Sequence, residues 1–381
     1  MPDLAILSPF SWTPGRPHGG ITPVIRNLTM GFASRGIKVD LLVRQYDSTP
    51  KVSGEMPEEV RIVHINTKGK LGTALAVADY LRSTAPPVLL SAGHRFNLSA
   101  AWASKMVGTT RVFLRVGNHM SREAEERGSF HRWIRLSSIT HFYGWAYGII
   151  ANSEDVSNDL KSTTGLSKDK IHVIHNPVAP PELLRWADEP LDHPWFHPDS
   201  PPVILGVGRL ARQKAFDILI RAFKLLRDRL DCRLVILGEG PESKELEDLA
   251  GRLGIKEELN LPGFVDNPYP YMKRSAVFAL SSIYEGLPNV MVEALSVRTP
   301  AVSTDCPGGS AEILDGGRFG RLVPPNDPEA LCEAIYQTIL NPPEPSLLKE
   351  AIRPFELNTI VDRYIDCLGI RVAGPGKNTH P

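Results

Sequence analysis

The chain lacks several things that would place it quickly. None of its apolar runs approaches the roughly 18 residues that would cross a bilayer. Its start, MPDLAILSPFSW, has no basic segment ahead of an apolar core, so no secretory leader is expected. Cysteine is scarce: Cys232, Cys306, Cys332 and Cys367 are the whole set, no two at C-x-x-C spacing and none clustered with histidine at zinc spacing. Buried free thiols in a reducing, cytoplasmic setting are the plain expectation. Charge of either sign is not in excess, with 43 Lys and Arg against 43 Asp and Glu. That balance gives no general argument for nucleic acid as a partner. The G-x-G-x-x-G dinucleotide fingerprint does not follow the first strand, which counts against a nicotinamide-dependent oxidoreductase.

What is present is regular alternation. A length of 381 residues is comfortable for two domains. Short β-branched runs at Leu4–Leu7, Lys38–Arg44, Arg61–Ile65, Val88–Ser91, Arg111–Val116, Gly148–Asn152 and Ile171–His175 alternate with helical stretches such as Thr22–Arg35. Apolar strands separated by helices argue a parallel sheet covered on both faces. Between Pro177 and Pro202 lie eight of the 33 prolines, and periodicity vanishes. Proline fixes its own φ and drives its predecessor out of helix, so residues 179–202 read as a linker. A second series follows: strands at Val203–Val207, Arg233–Leu237, Leu259–Leu261, Ala276–Leu280 and Pro300–Thr304, and a helix Phe216–Leu230 whose Phe216, Leu219, Ile220, Phe223, Leu226 and Leu230 share one face. The expected architecture is α/β, two doubly wound Rossmann-like domains facing a cleft, over 1–178 and 203–353. A last helix at about 354–368 is expected to pack back on the first domain, ahead of a tail at 370–381.

Three segments carry chemistry. The first, Tyr284-Glu285-Gly286-Leu287-Pro288-Asn289-Val290-Met291-Val292-Glu293, follows an apolar strand. Pro288 suits the first turn of a helix, where its missing N–H costs nothing. Glu285 then lies in the strand-to-helix loop and Glu293 about a turn and a half into the helix. The helix start offers backbone N–H groups and a positive dipole end, a place for an anion such as a diphosphate. Carboxylates accept hydrogen bonds from paired hydroxyls of the kind sugars present. The second, Gly206-Val207-Gly208-Arg209-Leu210-Ala211-Arg212-Gln213-Lys214, places two cations, Arg209 and Lys214, in another strand-to-helix loop. The third, Trp12 to Gly20 after the first strand, ends in Gly19-Gly20, where backbone can approach a ligand closely. Taken alone, the first is more often a capped helix end with a solvated acid, the second more often a solvated basic loop, and the third is a weak signal.

Together they resemble the retaining GT-B glycosyltransferases of family four, the glycogen-synthase-like E-x7-E group. GVGRLARQK, VILGEGP, LPGFVDN, SSIYEGLPNVMVEAL, PAVSTDCPGGSAEIL and GRLVPPND occur in order, with Glu285 and Glu293 as the E-x7-E pair. The resemblance implies a retaining transferase of hexosyltransferase type that moves a sugar from a nucleotide-sugar donor to an acceptor. Arg209 and Lys214 would hold the donor diphosphate, Glu293 the ribose hydroxyls and Glu285 the donor sugar. N–H groups around Gly286, Leu287, Pro288 and Asn289 would support sugar and phosphate. Gly19 and Gly20 would bring backbone N–H to the diphosphate, and the loop of Gly263, Phe264 and Val265 would receive the base. A histidine after a mid-domain strand lies near the reacting sugar in this group; His119 and His94 are both candidates here. No Asp-x-Asp occurs, so neither a metal nor a cofactor is expected.

The donor is expected to be UDP-linked, with N-acetylhexosamine favoured over glucose and galactose. The acceptor is expected to be a glycan or lipid-linked chain in surface-polysaccharide synthesis. Residues 127–147 mix Arg127, Arg132 and Arg135 with Phe130, Trp133, Phe142, Tyr143, Trp145 and Tyr147, a composition suited to peripheral contact with the inner membrane face. Two rivals stand beside this reading: a transferase for a soluble small molecule or sugar phosphate, and a non-catalytic sugar-nucleotide-binding protein.

Overall fold

The computed structural model describes residues 1–9, 20–44, 56–65, 69–125 and 129–371. They form two compact units, one of Met1–Pro177 with the chain from Leu357 onward, the other Val178–Glu356.

The first unit holds seven parallel strands: β1 (Leu4–Leu7), β2 (Val39–Arg44), β3 (Val60–Ile65), β4 (Val88–Ala92), β5 (Arg111–Val116), β6 (Gly148–Ala151) and β7 (Ile171–Val173). Their order is β3-β2-β1-β4-β5-β6-β7. Side chains alternate between faces along each strand. Ala5, Leu7, Leu89, Val112 and Leu114 therefore pack under helices Gly69–Thr84, His94–Val107 and Ser129–Phe142. Leu4, Ile6, Leu90, Phe113 and Ile150 pack on the opposite side, against helices Ile21–Ala33 and Leu357–Leu368. The last helix is held by the edge-on rings of Phe32 and Tyr364, 6.3 Å apart, and by a 2.7 Å ion pair from Arg35 to Asp362. It is shorter at its start than the sequence range because Arg353–Phe355 makes a separate 3-10 turn around Pro354.

The second unit holds six parallel strands: β8 (Val203–Val207), β9 (Arg233–Leu237), β10 (Leu259–Gly263), β11 (Val277–Leu280), β12 (Ala301–Thr304) and β13 (Arg321–Val323). Their order is β10-β9-β8-β11-β12-β13. Strand β13 was not expected: at three residues, one of them Arg321, it carries too little pattern to read. The helix Phe216–Arg227 buries Phe216, Leu219, Ile220, Phe223 and Leu226, and Leu230 follows in a closing turn.

Residues 179–202 are packed structure. Leu183 and Ala187 of a short helix are buried in the second unit's core, with Trp186, Trp195 and Phe196 packed against it. Proline broke the periodicity there, while the apolar side chains between the prolines supplied the burial.

In both sheets the strand order reverses once, between β1 and β4 and between β8 and β11. Loops leaving the carboxyl ends of such a strand pair diverge and leave a crevice, the usual ligand position in open α/β sheets.

Candidate functional site

The crevice of the second unit is bounded by the loops after β8 and β11, which hold the two strongest sequence segments. The loop after β8 runs through Gly208 and Arg209 to a 3-10 turn at Arg212–Lys214 and enters the next helix through Ala215, at φ 46°. The loop after β11 runs from Ser281 to Pro288, and helix Asn289–Ser296 follows. Pro288 precedes that helix as its cap residue, one position earlier than the sequence suggested.

These two loops are fastened to each other. The Ile283 N–H donates to the Gln213 carbonyl at 2.8 Å, and the Gln213 side-chain amide donates to the Tyr284 carbonyl at 2.9 Å. Ser281 Oγ donates to the Lys214 carbonyl at 2.8 Å. At the centre, Lys214 Nζ donates to Glu285 Oε1 at 2.6 Å, and Ser282 Oγ donates to the same oxygen at 2.6 Å. Glu285 is buried and Lys214 partly so. The reading that gave Lys214 to a phosphate and Glu285 to a sugar did not foresee that the two pair with one another. A buried carboxylate needs such partners, and Lys214 is the cation within reach.

A third loop closes the back of the site. Thr304 Oγ1, at the end of β12, donates to the Ser282 carbonyl at 2.6 Å. The Glu285 N–H donates to the Pro307 carbonyl at 2.8 Å and the Gly309 N–H to the Gly286 carbonyl at 2.7 Å. Between them Gly308 has φ 128°, and a Cβ there would stand 2.6 Å from the Glu285 carbonyl oxygen. Only glycine lets this loop lie on the Glu285 backbone. Gln213, Ser282, Thr304 and Gly308 were not named as site residues from sequence. Their signal was the pair of glycines in Pro307-Gly308-Gly309 and the hydroxyls at strand ends, both common features.

The loops after β8 and β9 are laced in the same way. Gly208 N–H donates to the Leu237 carbonyl and Leu210 N–H to the Glu239 carbonyl, both at 2.9 Å. Gly238, at φ 138°, lies so close that a Cβ would stand 1.9 Å from the Gly208 oxygen. Arg209 projects from this rim, exposed and without an ion pair among the described residues.

Helix Asn289–Ser296 has no side-chain cap and no acid in its first turn, so its positive end is not neutralised by its own residues. Glu293, its fifth residue, is partly buried, and desolvation raises its carboxyl to about 7. Leu287 points into the core, and Gly286 and Pro288 are buried, so only backbone from this turn can serve a ligand. Gly263 ends β10, two strands from β8 on the same sheet edge, and Phe264 and Val265 follow it; Phe264 is exposed and Val265 packs inward.

In the first unit, the matching crevice lies at β1 and β4. Gly20 precedes helix Ile21–Ala33, which also lacks a side-chain cap. Gly19 lies outside the described residues. His94 opens the helix after β4, its Nδ1 3.2 Å from the Tyr143 hydroxyl. His119 stands one strand over, after β5, with Nε2 3.2 Å from Asp155 and Nδ1 3.4 Å from Asp159. His94 is thus at the strand reversal, while His119 is held between two carboxylates. Among the described residues no three His, Cys, Asp or Glu side chains converge as a metal site.

Comparison with known proteins agrees with this arrangement. Residues 18–182 match the model for Glycosyltransferase Family 4, and residues 188–354 match that for Glycosyl transferases group 1. An uncharacterised glycosyltransferase of Methanocaldococcus jannaschii is 28% identical over 83% of this chain and 84% of its own length. The N-acetylgalactosamine-N,N'-diacetylbacillosaminyl-diphospho-undecaprenol 4-alpha-N-acetylgalactosaminyltransferase of Campylobacter jejuni is 31% identical over 55% of each chain. The Anabaena protein HepE, solved in complex with UDP, superposes with a TM-score of 0.74 at 18% identity, covering 96% of this chain and 99% of its own. The chain is therefore a GT-B glycosyltransferase whose first half is a family 4 domain and whose second half is a group 1 domain.

Proposed function

We propose that the chain transfers a sugar from a UDP-linked donor, with retention of configuration and without a metal, to a glycan or lipid-linked acceptor in surface-polysaccharide synthesis. The observation that carries this is the Lys214–Glu285 pair at the β8/β11 reversal, flanked by Arg209 and by an uncapped helix with Glu293 in its second turn. Such an edge provides what departure of a nucleoside diphosphate requires, fixed positive groups where negative charge develops. Arg209 and Lys214 serve the diphosphate, and Lys214 has only to turn from Glu285 toward it. Glu285 then accepts from hydroxyls of the donor sugar, and Glu293 from those of the ribose.

In the proposed step the bond from the anomeric carbon to the β-phosphate oxygen breaks, its electron pair leaving with the nucleoside diphosphate. The acceptor hydroxyl forms its bond to that carbon on the same face. Its proton passes to the departing phosphate oxygen. Products are the lengthened acceptor and a nucleoside diphosphate, and no covalent enzyme intermediate is required.

Two findings support the finer choices. HepE is a structural neighbour known with UDP. The Campylobacter relative is named for transfer of N-acetylgalactosamine in α linkage to a glycan carried on diphospho-undecaprenol, which favours an N-acetylhexosamine and a lipid-linked acceptor here. The test is thermal unfolding with UDP, GDP, ADP and their common sugars, in EDTA, on the native chain and on Glu293→Ala. Ligand that binds only folded protein raises its melting temperature by mass action. A shift with UDP and one UDP-sugar, absent in the variant, is expected. Shifts confined to GDP or ADP compounds, or a requirement for a divalent cation, would overturn those parts of the proposal.

A further inference from the structure

The two helical layers of the first unit differ in what they show to solvent. Helices Ile21–Ala33 and Leu357–Leu368, on one face of the sheet, expose no large apolar side chain. On the other face, helices Gly69–Thr84, His94–Val107 and Ser129–Phe142 pack side by side, the first against the second and the second against the third. They expose Leu71 and Leu75, one helical turn apart, then Met106, then Trp133 at 66% and Ile134 at 45%. Trp145, in the turn that follows, is 40% exposed and lies edge-on to Phe142 at 4.8 Å, which in turn lies edge-on to Trp102 at 5.5 Å. A soluble surface tolerates single exposed apolar residues, but a set gathered on one layer needs a partner.

Charge follows the same division. The first layer carries Arg26 and Arg363 against Asp362 and Asp366, which cancel. On the three opposite helices Asp79 is the one acid, against Lys70, Arg82, Arg95, Lys105, Arg132 and Arg135. Arg82 pairs with Asp79, and the buried Arg135 with Glu123 of the neighbouring helix. Lys70, Arg95 and Lys105 are exposed and make no ion pair among the described residues. In a chain of zero net charge, basic and apolar side chains have been sorted onto one side of one unit.

We infer that this layer docks the protein on an anionic lipid surface. Trp, Leu and Ile side chains enter the boundary between headgroups and acyl chains, and Lys and Arg meet anionic headgroups. The sequence pattern at 127–147 pointed here only in part. Tyr143 is fully buried, Arg135 is consumed by its ion pair, and Tyr147 sits apart beneath Arg111 at 5.6 Å. Leu71, Leu75 and Met106 come from helices that segment does not include. The inference does not depend on the donor site, which lies in the other unit.

The experiment is co-sedimentation of the full chain with vesicles of phosphatidylcholine alone and with about one-third phosphatidylglycerol added. Binding to the second only, weakened by salt, is expected. Trp133→Ser with Ile134→Ser should lower binding ~10-fold, and Lys70→Glu with Lys105→Glu should remove the preference for anionic vesicles. All four side chains are exposed, so melting curves should be unchanged, which separates lost docking from lost folding. Failure to bind either vesicle, or binding indifferent to both double variants, overturns the inference. So does a dimer in light scattering that Trp133→Ser converts to monomer, since a second copy would then be the occupant.

Discussion

The two units share a sheet topology and reverse strand order at equivalent places, yet their carboxyl edges are finished differently. In the second unit the loops after β8, β9, β11 and β12 are bonded to each other, and the buried acid has its cation. In the first unit several buried polar atoms at strand ends have no hydrogen-bond partner among the described residues: Ser8 Oγ after β1, Ser91 Oγ in β4, Arg115 Nε in β5 and Asn152 Oδ1 after β6. Buried polar groups are nearly always satisfied, so this cluster sets the first edge apart from the second, where the described side chains satisfy one another. The fold alone does not make a site. One copy of it carries a charged edge whose loops are bonded to each other, the other an edge where several buried polar atoms are without such bonds among the described residues.

The largest effect should come from breaking the preformed edge at its centre. Lys214→Ala removes the cation proposed for the diphosphate and strands Glu285 as a buried charge. Transfer should fall by about 10²–10³-fold. Stability should fall by about 3 kcal/mol, the scale for an orphaned buried ion, read as a melting shift of roughly 10 °C. Lys214→Met with Glu285→Gln should recover most of the stability and none of the activity. If the double variant remained active, the pair would be structural only.

Next is the glycine on which the Glu285 backbone rests. Gly308→Ala puts a Cβ 2.6 Å from a backbone oxygen at a φ of 128°, so the loop itself must move. A loss of about 2–3 kcal/mol and a ~10–100-fold drop in turnover are expected, since a displaced carboxylate loses its alignment. In the other unit, a Cβ at Gly117 would meet the end of the Arg115 side chain at 3.0 Å, and a side chain has to give way there by only a few tenths of an ångström, where at Gly308 backbone must move. Gly117→Ala should therefore cost under about 1 kcal/mol. Equal costs at the two glycines would erase the contrast between a fixed and an adjustable edge.

How much of this was readable beforehand follows from what each feature depends on. Strands such as Leu4–Leu7 and Val203–Val207 came out as expected because continuous apolar runs can be satisfied only inside a doubly covered sheet. Residues 179–202 misled because proline hides periodicity without preventing burial of Leu183 and Ala187. The placement of Glu285 in a loop and of Glu293 in the helix after it was legible, because Pro288 marks the helix start between them. The Lys214–Glu285 pair was not, because 71 residues separate the two and only the adjacency of β8 and β11 brings them together. Tyr143 looked like surface among other aromatics, yet it fills the core and gives its hydroxyl to the His94 contact.

A smaller effect, visible in pH dependence, should sharpen the electrostatics of the preformed edge. Desolvation raises the Glu293 carboxyl to about 7 from 4.5, so the folded protein holds a proton there that the unfolded chain has released. Stability from this group is present below about pH 4.5 and is lost as pH rises through 7, by at most about 3 kcal/mol. Glu293→Gln should flatten that slope. If the carboxylate receives the ribose hydroxyls, donor affinity should run the opposite way, rising ~10-fold from pH 6 to 8 in titration calorimetry and becoming flat in the variant. A variant that keeps the native slope would place the titration elsewhere.

The smallest effect probes the first unit's edge. Arg115 is 3% exposed, and its guanidinium donates to Asn176 Oδ1 but pairs with no carboxylate among the described residues. A buried cation of this kind is costly, and replacing it with an apolar side chain of similar length is often neutral or stabilising. Arg115→Met should therefore leave stability unchanged or raise it by about 1 kcal/mol, while acceptor KM rises a few-fold and donor binding is untouched. That split would show a charge kept for function at the cost of stability, the reverse of Lys214, whose loss should harm both. A destabilisation of about 3 kcal/mol with unaltered KM would instead make Arg115 a structural group, and the two edges would then be finished alike.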